Sequence, residues 1–152
     1  MPLDPSFIGR SYPPSRPYEV GREKIREFAA ALGDDNPAYT DRDAARALGH
    51  PDVIAPPTFP IVVAYDALNQ LIEDPQLGLD YSKVVHGDQR FSYTRPVRAG
   101  DVLQVTVQVE NIRSAAGNDL ISTRADVATV DGEHVCSSYC TLVARGTAGG
   151  DQ

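Results

Sequence analysis

Apolar residues fall at Ile25, Phe28, Ala29 and Leu32. This is the i, i+3, i+4, i+7 spacing of one helix face, and it predicts a helix over Arg22 to Leu32. Gly33 ends it as the residue best able to turn left-handed after a helix. Pro37 then pushes the residue before it out of the helical region. A shorter helix is expected at Asp41 to Leu48, closed by Gly49. From Ile61 to Ile72 the apolar positions crowd together: Ile61, Val62, Val63, Ala64, Tyr65, Leu68, Leu71 and Ile72 leave little polar face at the helix start. Such a helix is predicted to be buried rather than laid on a surface. Thr58 is its expected N-cap, and Pro60 suits the first turn, where no N–H is needed.

Beyond residue 82 the period becomes two. Leu103, Val105, Val107 and Val109 alternate with Gln104, Thr106 and Gln108, one face apolar and the other polar. Strands are expected at Val84 to Tyr93, Val102 to Val109, Leu120 to Val130 and Val135 to Val143. Asp131-Gly132 is a strong hairpin turn and Ala116-Gly117-Asn118 a weaker one. Residues 96–101 connect the first two strands, turning at Gly100-Asp101. The first 20 residues hold five of the twelve prolines. They read as extended chain, with short strands at Phe7-Ile8 and Tyr18 to Val20. Helices followed by four antiparallel strands make an α+β chain with its sheet packed on helices. Residues 1–145 form one domain, and the polar, Gly-rich 146–152 is expected to be a flexible tail.

Composition narrows the function. A chain of 152 residues, 41% hydrophobic and 23% charged, suits a single globular domain. No apolar run approaches the ~18 residues of a membrane helix. The N-terminus lacks a basic stretch followed by an apolar one, so no secretory signal is expected and the expected address is the cytoplasm. A net charge of -7 argues against non-specific nucleic-acid binding. Cys136 and Cys140, four residues apart on one strand, would sit ~13 Å apart at ~3.3 Å per residue, too far to bridge. No His, Asp, Glu or Cys cluster has metal-ligand spacing, so neither a metal nor a cofactor is expected.

Three segments carry a resemblance. They are Gly33-Asp34-Asp35-Asn36-Pro37 after a helix, Pro51-Asp52-Val53-Ile54-Ala55 before the buried helix, and Arg95-Pro96-Val97-Arg98-Ala99-Gly100-Asp101 between strands. In this order, over roughly residues 5–145, the chain resembles the MaoC-like (R)-specific hydratase/dehydratase family, nearest its N-terminal dehydratase type. The resemblance implies a hot-dog fold, an antiparallel sheet wrapped around a long buried helix. It also implies chemistry on acyl thioesters of coenzyme A or of an acyl carrier protein. Catalytic members of that family hold a water between the Asp and His of Asp-x-Asn-Pro-x-His. Here Asp34 and Asn36 match, but Tyr39 stands in place of the His. With an ordinary pKa near ~10 against ~6.5, a phenol is a poor proton shuttle at neutral pH. Those members also follow Ile-Ala with His-Gly, whose amide steadies the thioester carbonyl. Here Pro56 and Pro57 occupy those positions, and proline has no N–H to give.

The resemblance therefore implies a chain whose own dyad is incomplete, with Asp34 vestigial or weak. It implies a subunit that binds the acyl chain, either as a homodimer or as a heterodimer whose MaoC-like partner supplies the catalytic Asp and His. Asn36, Thr58, Phe59, Tyr65, Asp88 and Arg90 are the candidate substrate-binding residues. Arg90, Arg95 and Arg98 are also candidates for carrier phosphates, or equally solvated surface arginines. His86 and Asp88, two apart on a strand, would share a face and make a replacement acid/base pair. Two other readings stay open. One is a self-sufficient homodimer, either a hydratase pairing Asp34 with His86 or a thioesterase. The other is an acyl-CoA-binding module without chemistry.

Overall fold

The computed structural model describes residues 2–148. After a short strand β1 (Tyr18–Glu19) come helices α1 (Arg22–Leu32), α2 (Arg42–Ala47) and α3 (Ile61–Ile72). Four strands follow: β2 (Val84–Tyr93), β3 (Val102–Ala115), β4 (Asn118–Thr129) and β5 (His134–Ala144). They form one antiparallel sheet in the order β1-β3-β4-β5-β2, curled around α3 in the hot-dog arrangement. No helix among the described residues is long and apolar enough to cross a membrane.

The core sits on the concave face. Val105, Val107 and Val109 of β3 oppose Val127, Ala125 and Thr123 of β4. These in turn oppose Cys136, Ser138 and Cys140 of β5. The β3 side of this face is wholly aliphatic, whereas the β5 side carries small polar groups. Both thiols are buried, free of any disulfide, and pushed up to about 11 by that burial.

Strands β3 and β4 run further than their alternation predicts. A bulge between Val109 and Asn111 breaks the period of two, which hides the continuation to Ala115. The hairpin then closes on Ala116 and Gly117, with φ of 51° and 77°. Two positive φ values are what a two-residue turn needs to match the strand twist.

Phe7-Ile8 is not a strand. Asp4 accepts a hydrogen bond from the Ser6 amide, and Pro5 starts a 3-10 turn over Pro5–Phe7. Residues 9–15 then run along the outer margin of β3. The amides of Gly9, Tyr12 and Ser15 donate to the carbonyls of Val109, Val107 and Val105 at 2.8, 2.9 and 2.8 Å. With β1 pairing at Val102 and Leu103, that margin is covered. Strand β2 forms the other margin and, among the described residues, pairs only with β5.

Helix α3 buries Val63, Ala64, Ala67, Leu68 and Leu71, but Tyr65 and Asp66 stand exposed. Five strands from one chain wrap only one side of it, so the helix is less enclosed than its composition predicts. Thr58 does not cap it. The N-cap position is Pro60, without a side-chain bond, and Thr58 is exposed. Residues 146–148, the start of the expected tail, are bonded to the β3–β4 hairpin end of the sheet. The Thr147 hydroxyl donates to Asp119 at 2.6 Å, and Gly146 and Ala148 are bonded to Asn118 and Gly117. Residues 149–152 of that tail lie outside the described residues.

A second bulge lies in β2. His86 opposes Leu142 and Asp88 opposes the adjacent Thr141, leaving Gly87 as the extra residue. A Cβ on Gly87 would meet Val143 Cγ2 at 3.0 Å and the Thr141 carbonyl oxygen at 3.3 Å. Gly87→Ala is therefore expected to cost about 1–3 kcal/mol, the scale of overpacking. Urea unfolding of the variant measures it, and a midpoint equal to the parent's would contradict the crowding.

Candidate functional site

Helix α1 ends as its sequence predicts, with Gly33 at φ 69°. The next residues form consecutive side-chain-capped turns. The Asn36 amide donates to Asp34 Oδ1 at 3.2 Å, and the Ala38 amide to Asn36 Oδ1 at 3.0 Å. Asp34 and Asn36 thus shape the loop, and both are exposed. The 3-10 turn Pro37–Tyr39 that follows carries Tyr39 inward, where 6% of it remains exposed. Burial first, and then the negative charge of Asp34, raise its pKa above the ordinary phenol value. Tyr39 therefore keeps its proton at neutral pH and can donate a hydrogen bond, but it is no base.

Tyr39 separates two clefts. The inner one, about 280 Å³, is lined by Tyr39, Ile54, Ala55, Pro57, Tyr93 and Pro96, with Thr94 and Arg95 at its rim. Its walls are largely apolar. The Tyr93 hydroxyl donates to the Pro57 carbonyl, tying β2 to the segment ahead of α3. No histidine lines this cleft, and prolines stand where amide donors would be required. Further on, the amides of Phe59, Ile61 and Val62 donate to the carbonyls of Pro56, Thr58 and Phe59 at 2.9, 3.1 and 3.0 Å, whereas that of Thr58 makes no backbone bond among the described residues.

The outer cleft, about 630 Å³, gathers Arg22, Arg26, Arg42 and Arg46 from α1 and α2 around the back of Tyr39, with Asp41 and Asp43. Arg22 grips Asp52 with two bonds of 3.1 and 2.7 Å. Arg26 pairs with Glu23, and Arg46 lies 3.7 Å from Asp43. The Arg22 contact holds the Asp52 carboxyl down at about 2, below its ordinary 3.8. A folded-state value below the unfolded one stabilises the protein above about pH 4, and that contribution fades as the pH falls toward 2. Arg22 is half exposed, so the contribution should stay under ~1 kcal/mol. Arg22→Ala is expected to lower the unfolding midpoint at pH 6 and to match the parent near pH 2. An equal deficit at both pH values would count against the ion pair.

The remaining sequence candidates disperse. Because of the bulge, His86 and Asp88 face opposite sides of β2, so the expected side-by-side pair does not form. The His86 ring nitrogen contacts the Asp88 backbone carbonyl at 3.0 Å and Cys140 Sγ at 3.5 Å. His86 also sits at the far end of β2 from Tyr93, roughly 20 Å away at ~3.3 Å per residue. It therefore cannot join Asp34 beside Tyr39. Arg90 stacks on the Tyr139 ring, 4.1 Å from its centroid, on the outer face of the sheet. Arg95 binds Asp101 in a two-bond fork, and Arg98 approaches the same carboxylate at 4.0 Å. Phe59 is fully buried edge-on to Phe28, with centroids 5.4 Å apart, and is core. Tyr65 lines a narrow slot beneath α3.

Tyr93 and the four arginines escaped sequence reasoning. Tyr93 carries no motif, and the arginines, although spaced i, i+4 within each helix, come from two helices whose packing the sequence does not show.

Similar proteins were found at three levels. A family model described as the FAS1-like dehydratase domain region matches residues 6–138. A UPF0336 protein of Streptomyces coelicolor is 66% identical over 145 residues, 95% of this chain and 97% of that protein. A UPF0336 protein of Saccharopolyspora erythraea is 59% identical over 148 residues, 97% of this chain and 95% of that protein. Among solved structures, a MaoC-like dehydratase superposes with a TM-score of 0.85 at 34% identity. That match covers 92% of this chain but only 42% of that longer one. The C-terminally truncated HadBC (3R-hydroxyacyl-ACP dehydratase) complex of Mycobacterium tuberculosis gives 0.80 at 34% identity, over 90% of this chain and 96% of that one. The R-hydratase PhaJ1 of Pseudomonas aeruginosa, 22% identical with a TM-score of 0.67 over 91% of this chain and 81% of that one, shares the fold.

Proposed function

Because the chain belongs to the MaoC-like hydratase/dehydratase family, we propose that it is the acyl-binding subunit of a (3R)-3-hydroxyacyl-thioester dehydratase. Its partner, in this reading, is a MaoC-like hot-dog chain that supplies the catalytic Asp and His. One observation carries the proposal: the Tyr39 cleft keeps apolar walls but has no imidazole among its lining residues, and Pro56 and Pro57 remove two amide donors beside it. Elimination of water from a 3-hydroxyacyl thioester needs a group to take the proton and another to orient the leaving oxygen. A protonated phenol beside a turn-capping carboxylate does neither well.

Two further features support a partnered protein. The outer edge of β2 is unpaired among the described residues and exposes Val85 and Tyr93. An unpaired edge of this length is a template on which another chain can pair. Tyr65, exposed on α3, meets Tyr81 just ahead of β2 at 2.6 Å between hydroxyls. Cationic groups of the outer cleft, Arg42 above all, lie where carrier phosphates would approach Tyr39. The HadBC complex, a 3R-hydroxyacyl-ACP dehydratase by its name, offers a precedent for two such chains working together.

Reconstitution tests the proposal. The purified chain should hydrate crotonyl- or longer enoyl-thioesters poorly, and co-expression with a MaoC-like chain that keeps the dyad should give a stable complex with high activity. Equal turnover by the chain alone would overturn the subunit reading.

A further inference from the structure

On the concave face, Gln89 of β2, Cys140 of β5 and Thr123 of β4 stand in register across three strands. Ser138 lies one pair along, beside Ala125. This polar strip is roofed by Ile61, Ala64, Tyr65 and Leu68 of α3, leaving a slot with about 10 Å³ of free space. That is the room one water-sized group requires.

The slot's hydrogen-bonding inventory is unbalanced. Gln89 Nε2 donates to Ser138 Oγ at 2.7 Å. Gln89 Oε1 is buried and has no partner among the described residues. Ser138, 3% exposed, accepts from Gln89, and its own hydroxyl hydrogen is not used in that bond. Thr123 is already satisfied by the Cys140 carbonyl at 3.3 Å. The slot therefore presents one free acceptor and one free donor, the complement of a single hydroxyl. If the amide is turned over, Ser138 donates to the oxygen and the free amide atom becomes a donor; a hydroxyl still satisfies it. A methylene satisfies neither arrangement, and a buried acceptor left without a donor is costly.

We propose that this slot is a specificity site for a hydroxyl carried on the acyl chain, remote from the thioester, with Gln89 and Ser138 as its hydrogen-bond partners. The inference rests on the acyl-binding role proposed above. Gln89 and Tyr93 lie four residues apart on one face of β2, ~13 Å at ~3.3 Å per residue. An extended chain gains ~1.3 Å per bond, from ~3.8 Å over three bonds. Measured along the strand, the slot therefore lies roughly ten bonds from a thioester at the Tyr39–Tyr93 cleft. The preferred ligand class is then a medium-length acyl thioester with a hydroxyl near carbon ten to twelve.

Calorimetric titration of the full-length chain with dodecanoyl-CoA and 11-hydroxydodecanoyl-CoA tests this. The hydroxylated ligand is expected to bind about tenfold tighter, the value of one well-made hydrogen bond. Gln89→Leu and Ser138→Ala should each remove the preference while leaving dodecanoyl-CoA binding at least as tight. Neither change opens a large cavity, and thermal unfolding of both variants verifies that they fold. Binding of both ligands with equal affinity would overturn the slot assignment and leave the acyl-binding role standing. A preference that survives in both variants would overturn it likewise. Binding of neither ligand would overturn the acyl-binding role itself, and this inference with it.

Discussion

In a reconstituted pair, replacing the partner's catalytic His with Ala is expected to slow enoyl-thioester hydration by about 10²–10⁴, the usual worth of a positioned proton-transfer group. Asp34→Asn or Tyr39→Phe in this chain should change kcat by less than about threefold, the effect of a substitution that alters only local packing. The asymmetry follows from the loop. Asp34 Oδ1 already accepts from the Asn36 amide, and burial and the neighbouring carboxylate both hold the proton on Tyr39. Tyr39→His is expected to leave the isolated chain slow. An imidazole there would still face a carbonyl with no amide at Pro56 or Pro57 to steady it, a loss of about 10²–10³. Steady-state hydration assays of the four preparations decide the matter. A hundredfold loss from Asp34→Asn would place the chemistry in this chain instead.

A comparably large effect on stability is expected at Arg95. Its guanidinium uses every N–H it has: two bonds of 2.9 Å to the Asp101 carboxylate, one to the Pro96 carbonyl, and two to Glu133 Oε1. The Asp101 side chain is 7% exposed and also accepts from the Arg98 amide at 2.9 Å. Removing the guanidinium would leave that carboxylate buried with only the more distant Arg98, at 4.0 Å, as counter-charge, a change on the scale of about 3 kcal/mol, the low end for a broken buried pair. Arg95→Ala should lower Tm by roughly 10 °C on the usual scaling for a domain of this size. Arg95→Lys should recover little, because an ammonium cannot reproduce a planar fork. Differential scanning calorimetry measures both, and an Arg95→Ala midpoint within 2 °C of the parent, about 1 kcal/mol, would refute the assignment. The same arginine rims the Tyr39 cleft, so its loss should also weaken acyl-thioester binding.

Much of the architecture was legible because its periods are clean. Ile25 to Leu32, Ile61 to Ile72 and Leu103 to Val109 each repeat at the spacing of the element they form. What the sequence hid lies where the period breaks. The bulge at Val109 and Asn111 concealed the rest of β3, and the one at Gly87 turned His86 away from Asp88. Pro5 and Pro60 favoured turns over a strand at Phe7 and a cap at Thr58. At the site, Tyr39 and the two prolines were visible as departures from a family pattern. Gln89, Ser138 and Cys140 were not, because small polar residues on a strand do not announce which face they occupy until the pairing register is known.

The sheet's two margins differ in kind. One is sealed by the chain's own first residues, and the other is bare. Strand-to-strand growth can therefore proceed in a single direction and for a single step, since whichever molecule docks against the bare side offers only its own sealed back beyond. Association by this route closes on itself as a pair and cannot lengthen into a ribbon, however concentrated the solution becomes.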